Sequence, residues 1–431
     1  MIKNNFAGNL LVFLLLTILV LVGCTLRPKL TGPDVAMRLT AQLPVLQDDL
    51  PIEDLVGGIQ QNIDRLNAKT DLEFLTFGPR RISRTDYVLA LHFLVEVLTK
   101  NEKPVALQMV SENFDFYEIY GDRKWGEVFM TSYYDPVIKG SIKKTETFSQ
   151  ALYAVPKDLV TIQFGEFLQT FPRLQLEVSP PHEQKSKGEA LRGRLVVEGV
   201  QTPQIVPYYS RKQIDVEGAL EGKGLELAWV DPIKAFTLQI QGSGVIEFED
   251  GKRVRLGYAG QNGHGYVSIG KFLTDVIPLE KMSMHAIETH LATLPQDKMQ
   301  EILNLNPSYV FFQSLDSKSM TFFGTEVVAG RTIATDYRYF PKGAVGFLEF
   351  EQPVFAGEEM TPSVWLPTAR FILDQDTGGA IRGAHRLDLY WGEGFAAERS
   401  AGVMRRPGKL YYLAPKPELS LRLREGLPGP R

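Results

Sequence analysis

"DTGGAIRGAHRLDLYWG", Asp376 to Gly392, holds two carboxylates, Asp376 and Asp388, beside four glycines and little hydrophobic filling. A segment that had only to pack would be more apolar. Thr377-Gly378-Gly379 reads as a turn, and "RLDLYWG" alternates as a strand does. A third acid, Asp336, stands in "GRTIATDYRYFPKG" (330–343) with the same setting. Each of the three lies in or beside an apparent strand and is followed by turn or glycine residues. Each also has a plain structural explanation. Asp336 can form a turn, Asp376 can accept at an Asx turn, and Asp388 can be a strand-end charge.

Around this stretch the strand pattern runs from about Phe312 to Leu413, and "PKPELSLRLREGLPGPR" (415–431) reads as a loose tail. Before it, Ser283–Leu294 and Asp297–Leu305 have helical spacing, stopped by Asn306-Pro307. From about Gly126 to Gly260 the chain reads as strands. These include "AFTLQIQGSGVIEFEDGKRVRLGYAG" (235–260), with Asp250-Gly251 as a hairpin turn. Asp54–Lys69 and Thr85–Lys100 carry apolar residues on one helical face, with Ser83 and Thr85 as candidate N-caps. Helices, strands, helices and strands in that order predict an α+β protein, mainly β, in which one domain can be inserted into another.

The chain has 47 basic and 51 acidic side chains and no block of like charge, so nothing marks a nucleic-acid surface. A hydrophobic share of 44% supports packed cores. At the N-terminus, one lysine precedes an apolar run from Leu10 to Val22, the layout of a secretory signal. Leu21-Val22-Gly23-Cys24 resembles the lipobox of bacterial lipoproteins, in which the cysteine is acylated after cleavage. Cys24 is the chain's single cysteine, which leaves none for disulfides or thiol chemistry. Thr25 is not the aspartate that retains enteric lipoproteins in the inner membrane. The expectation is a signal over 1–23, a tether over 24–36, and a lipid-anchored body on the periplasmic face of the outer membrane.

No Walker-A loop or nucleophile elbow occurs, and Gly392–Ala397 fits a dinucleotide pattern only loosely, without a βαβ unit. The six histidines form no metal set, so neither a metal nor another cofactor is expected. Carboxylates and glycines remain as the chemistry.

With their glycines, the three acids are far more specific than each alone. The segment from Gly330 to Lys416 resembles the 3D domain of the membrane-bound lytic murein transglycosylase A family. The middle of the chain resembles the rest of that family's signature. Its motifs are "FMTSYYDPVIKGS" (129–141), "PYYSRKQID" (207–215), "LAWVDPIKAFTLQIQGSG" (227–244), "YAGQNGHGYVSIG" (258–270) and "NPSYVFFQ" (306–313), in the family's order. Ser132 departs, standing where the family usually has glycine.

The resemblance implies a double-psi β-barrel interrupted by a smaller β-rich domain, with N-terminal helices. Residues 37–140 and 314–416 would form the barrel domain and 141–313 the insert, leaving 417–431 as a flexible tail. It implies cleavage of the MurNAc–GlcNAc β-1,4 bond of peptidoglycan glycan strands, with formation of a 1,6-anhydromuramoyl end. Asp388 would be the catalytic acid, Asp376 its supporting neighbour, and Asp336 a structural aspartate. One carboxyl suffices because the muramoyl C6 hydroxyl replaces water. Burial near Tyr390 and Trp391, with Asp376 as a like charge, would raise the Asp388 carboxyl. Thr131, Tyr133 and Tyr134 are candidates for one groove wall, and Gln239, Gln241 and Ser243 for the other. The tyrosines serve equally well as core filling, and the glutamines as solvent-facing amides. A non-catalytic expansin-like wall binder and a muramidase hydrolase stay open as alternatives. So do partners in a wall-synthesis complex.

Overall fold

The computed structural model describes residues 30–426, apart from 122–123, 163–169, 171–190, 198, 200, 317 and 379–380. Cys24, the signal-like segment, part of the expected tether and Gly379 therefore lie outside the described residues.

Six strands position the site. They are β1 (Glu127–Asp135), β2 (Thr332–Ala334), β3 (Ala344–Val354), β4 (Val364–Asp376), β5 (Arg386–Glu393) and β6 (Arg406–Pro415). They bond in the order β6-β3-β4-β2-β5-β1, and β1 also pairs with β6, which closes the ring. The pairs β2–β4 and β5–β1 are parallel, and the other four are antiparallel. Closure pairs both sides of each ring strand, which an open sheet cannot do. Along β5, Leu387 and Leu389 are fully buried in the core. Period-two alternation therefore turns Arg386, Asp388 and Tyr390 to the other face.

Two helices pack on the ring, α1 (Ile52–Ala68) and α2 (Arg84–Lys100), and α3 (Lys103–Asn113) packs on α2 and on the strand Phe114–Ile119 that pairs with β6. On α1, Leu55, Ile59, Ile63 and Leu66 are buried at helical spacing. Gly58 lies on the same helix because a Cβ there would collide with Leu373 of β4. Ser83 caps α2 by accepting from the N–H of Asp86 at 3.1 Å. Tyr87 then joins α2 to two ring strands. Its hydroxyl donates to Leu413 O at 3.2 Å and accepts from Val345 N at 3.0 Å.

At Pro136 the chain leaves the ring for a second, six-stranded sheet. Its order is Val310–Leu315, Arg253–Gln261, Ser243–Phe248, Val137–Ser141, Glu226–Val230, Gln150–Tyr153. Asp250-Gly251 makes the expected hairpin turn, with Gly251 at φ +79°. A three-stranded sheet and further helices complete this half, among them α4 (Pro232–Gln241), α5 (Met284–Leu291) and α6 (Gln296–Leu303).

Three segments of eight residues or more differ from the sequence reading. Residues 232–241, read as strand, form α4, because Asp231 caps it through the N–H groups of Ile233 and Lys234 and Pro232 suits its first turn. Gly242, at φ +86°, ends it. Within the expected run of strands, Gly394–Val403 forms α7. The supposed loose tail contains α8 (Pro417–Arg424), whose Leu419 is buried and whose Arg424 pairs with Asp86 of α2. Leu419 and Leu423, spaced one helical turn apart, supply the apolar face that the flanking prolines and glycines obscured.

Candidate active site

β2 lies between β4 and β5, and Ala334 is in register with both Asp376 and Asp388. Two strand spacings, about 9–10 Å, therefore separate the backbones that carry these carboxylates. On the other side of β5, Thr131 of β1 is in register with Asp388. Its hydroxyl donates to Asp388 Oδ1. Arg386 Nη2 donates to the same hydroxyl oxygen at 3.1 Å, and Arg386 Nε lies 3.6 Å from Asp388 Oδ1. Hydroxyl, carboxyl and guanidinium thus form one cluster on the outward face of β1 and β5.

Burial pushes the Asp388 carboxyl above the usual carboxylate range. Arg386 and the Thr131 hydrogen bond oppose the rise, and the charge of Asp376 adds to it as the smallest contribution. The side chain is still 18% exposed, so a substrate atom can reach it. Like-charge repulsion from Asp376 is therefore a minor cause, and desolvation the main one.

Asp376 is held on both oxygens. Phe322 N and Thr377 N donate to Oδ1 at 3.0 and 2.9 Å, and the Tyr133 hydroxyl donates to Oδ2 at 2.8 Å. Burial raises this carboxyl too, against those hydrogen bonds and the charge of Lys342. Tyr133 packs on Tyr390 with ring centroids 5.2 Å apart. The Tyr390 hydroxyl donates to Asp135 Oδ2 at 3.0 Å.

Asp135, fully buried at the end of β1, is a junction between the two sheets. Besides Tyr390 it accepts from Ser243 at 2.5 Å, Ser319 at 2.8 Å and Arg255 at 2.9 Å. Asp336 accepts from the N–H of Arg338 at 3.1 Å, its guanidinium, and the N–H of Gly383 at 2.8 Å. Burial pushes the Asp336 carboxyl up, but these bonds outweigh it and hold it below the usual range. They bridge the loop after β2 to the loop before β5. Asp374, likewise buried, accepts from Lys342 at 2.6 Å and Thr335 at 2.7 Å.

Thr131, Tyr133, Asp376 and Asp388 thus come together, and four expected wall residues do not join them. Tyr134 alternates to the opposite face of β1, where it is buried against Ala397 and Ala401. Gln239 is buried in α4. Gln241 is about 200° around that helix from it, so the two amides share no face. Gln241 instead accepts from Tyr134 N at 3.2 Å, and Ser243 bonds Asp135. Arg386 was missed although it shares the face of Asp388 by period two. Asp135 carried no local signal, because its partners come from distant segments. Tyr266, 46% exposed, lies close enough to Arg386 for that charge to act on its hydroxyl, and so belongs near the cluster. Among the described residues, no group of three or more His, Cys, Asp or Glu is gathered to hold a metal ion.

A family model described as the MltA specific insert domain matches residues 129–313, and one described as the 3D domain matches residues 331–414. Between them they take in β1, the second sheet and the other five ring strands. The chain belongs to the membrane-bound lytic murein transglycosylase A family. A curated member from Vibrio cholerae is 33% identical over 204 residues, 46% of this chain and 54% of that protein. The match thus spans about half the length of that relative. The Escherichia coli K12 member is 29% identical over 308 residues, 70% of each chain. A crystal structure of the membrane-bound lytic murein transglycosylase from Agrobacterium tumefaciens has a TM-score of 0.68 at 26% identity. It covers 90% of this chain and 100% of that one.

Proposed function

We propose that this protein cleaves the β-1,4 bond between N-acetylmuramic acid and N-acetylglucosamine in peptidoglycan, leaving a 1,6-anhydromuramoyl end, with Asp388 as acid and base. The observation that carries the reading is a reachable carboxyl raised by burial, bonded by Thr131 and faced by Arg386, within the family's 3D domain. In its acid form Asp388 gives its proton to the glycosidic oxygen as the C1–O bond breaks, and N-acetylglucosamine leaves with a new hydroxyl. The carboxylate formed is stabilised by the Arg386 guanidinium. It then takes the proton of the muramoyl C6 hydroxyl, whose oxygen closes on C1. The acid is restored and no water is consumed. One group serves both steps because the protons move in sequence, and burial opposed by Arg386 brings its acidity toward the working pH. Asp376 supports the site by holding Tyr133 on one oxygen and the Phe322 backbone on the other. Thr131 and Tyr133 face the strand.

The fold reading goes with this. We infer that the closed six-stranded ring, with its two parallel pairs, is a double-psi barrel, and that the insert expected over 141–313 extends to Val137 and Leu315, whose strands belong to the second sheet. We further infer a signal over 1–23 and lipid attachment at Cys24, on the periplasmic face of the outer membrane. The relatives' description as membrane-bound supports this. Among the described residues no helix is long and apolar enough to cross a membrane.

The test is product mass after digestion of purified glycan strands. An anhydro end is one water lighter than a hydrolysed one. A hydrolysed end would show a muramidase, and strands bound but uncut would show a wall-binding protein.

A further inference from the structure

We propose that Phe322 and Tyr337 form an aromatic ledge that binds one pyranose ring of the glycan strand beside Asp376. This rests on the glycan-cleaving reading and adds a sugar subsite to it. The two rings stack on each other with centroids 5.3 Å apart and planes at 23°, yet remain 58% and 49% exposed. Neither is placed by core packing. Each is held by one of the aspartates. The N–H of Phe322 is bonded to Asp376 Oδ1 at 3.0 Å. Asp336 accepts from the N–H of Arg338 at 3.1 Å, a turn that presents the intervening Tyr337 outward. The next backbone bond, from Phe323 N to Gln375 O at 2.8 Å, keeps the Phe322 segment against the end of β4. Side chains of this size normally bury most of their surface, so two stacked rings fixed in solvent beside Asp376 mark a binding surface.

The chemistry of the rim chooses the occupant. A pyranose ring has an apolar C–H face for the aromatic plane and hydroxyls around its edge. Arg338, 37% exposed in its side chain, and the Tyr337 hydroxyl supply polar partners within the same turn. A lipid surface would call for an unbroken apolar patch, without the Arg338 guanidinium that lies over Tyr339. The Phe322 N–H and the Tyr133 hydroxyl bind opposite oxygens of Asp376, so the ledge and Tyr133 are tied to the same carboxyl.

The experiment measures binding of peptide-free glycan strands, from a single disaccharide to long chains, by calorimetry with the full-length protein in detergent. Asp388→Asn serves as background so that strands survive the titration. Phe322→Ala and Tyr337→Ala should each raise the Kd for long strands by about 2–12-fold, the range of one aromatic stacking contact. The single disaccharide should be affected less, and Phe322→Trp should restore the affinity. Phe322→Leu, which keeps apolar bulk without a ring face, guards against simple misfolding and should behave as the alanine variant does. Equal Kd values for parent and variants at every length would overturn the ledge and point to a lipid or protein occupant. So would failure of the background protein to bind strands at all. Parent protein that binds strands normally but yields no anhydro product would instead sink the lytic reading, leaving the ledge to be judged by its own Kd values.

Discussion

Asp388→Asn tests the proposed acid through two readouts of opposite sign. The amide keeps the shape of the side chain and can still accept the Thr131 hydrogen bond, but it has no proton to give. General acid–base help is commonly worth about 10²–10⁴-fold, so turnover should fall by at least that factor, equivalent to about 3–5 kcal/mol of barrier. Stability should move the other way. Burial holds the Asp388 carboxyl above its unfolded value of 3.8, so the folded state binds this proton more tightly than the unfolded state. Its contribution to folding is greatest below the unfolded value and is lost as pH rises through the folded one. At neutral pH, well above the unfolded value, this carboxyl therefore works against folding. The asparagine variant should melt at or above the parent temperature at pH 7 and lose that advantage in acid. Were Asp388 a structural anchor for Thr131 and Arg386, losing its charge-assisted bonds would cost about 1–3 kcal/mol instead. Melts across pH, paired with turnover on glycan strands, decide between these. A variant that forms anhydro product at near-parental rate, or that is less stable by more than about 1 kcal/mol at pH 7, refutes the assignment.

Arg386→Gln should leave the Asp388 carboxyl higher, because the guanidinium is the largest influence opposing burial. Activity needs the acid form, so the alkaline limb of the pH–rate profile should move to higher pH. An unmoved or lowered limb would mean that Arg386 does not act on this carboxyl. Cys24→Ala should be released from membranes by mild washing, and persistence at parental levels would show another attachment.

The site's acids were legible because their signal is local. Asp376 and Asp388 sit among turn residues and glycines, and Asp250-Gly251 was enough to place a hairpin. Parity along strands was the first source of error. Tyr134 was grouped with Thr131 and Tyr133, although a one-residue step in β1 sends it into the packing around Ala401. The second was a conflict between two patterns. "LQIQ" alternates like a strand, but Asp231-Pro232 at one end and Gly242 at the other frame a helix, and the caps prevailed. Asp135 and Asp374 could not have been found at all from spacing. Their roles come from partners supplied by other segments, from Ser243 to Tyr390 for Asp135 and from Thr335 to Tyr412 for Asp374.

The seam that closes the ring also governs the order in which the chain can mature. β1 is completed before the whole second sheet, yet both of its ring neighbours, β5 and β6, follow Ala384. Until they arrive, β1 offers two unpaired edges, the kind of strand that invites wrong partners during slow, non-local assembly. Thr131 and Asp388 are 257 residues apart, and they meet only across the β1–β5 pairing. The hydroxyl and the carboxyl are thus brought together by the step that seats β1 in the ring. A half-folded chain holds no half-working site, and the proposed cutting of a glycan strand waits for the finished architecture.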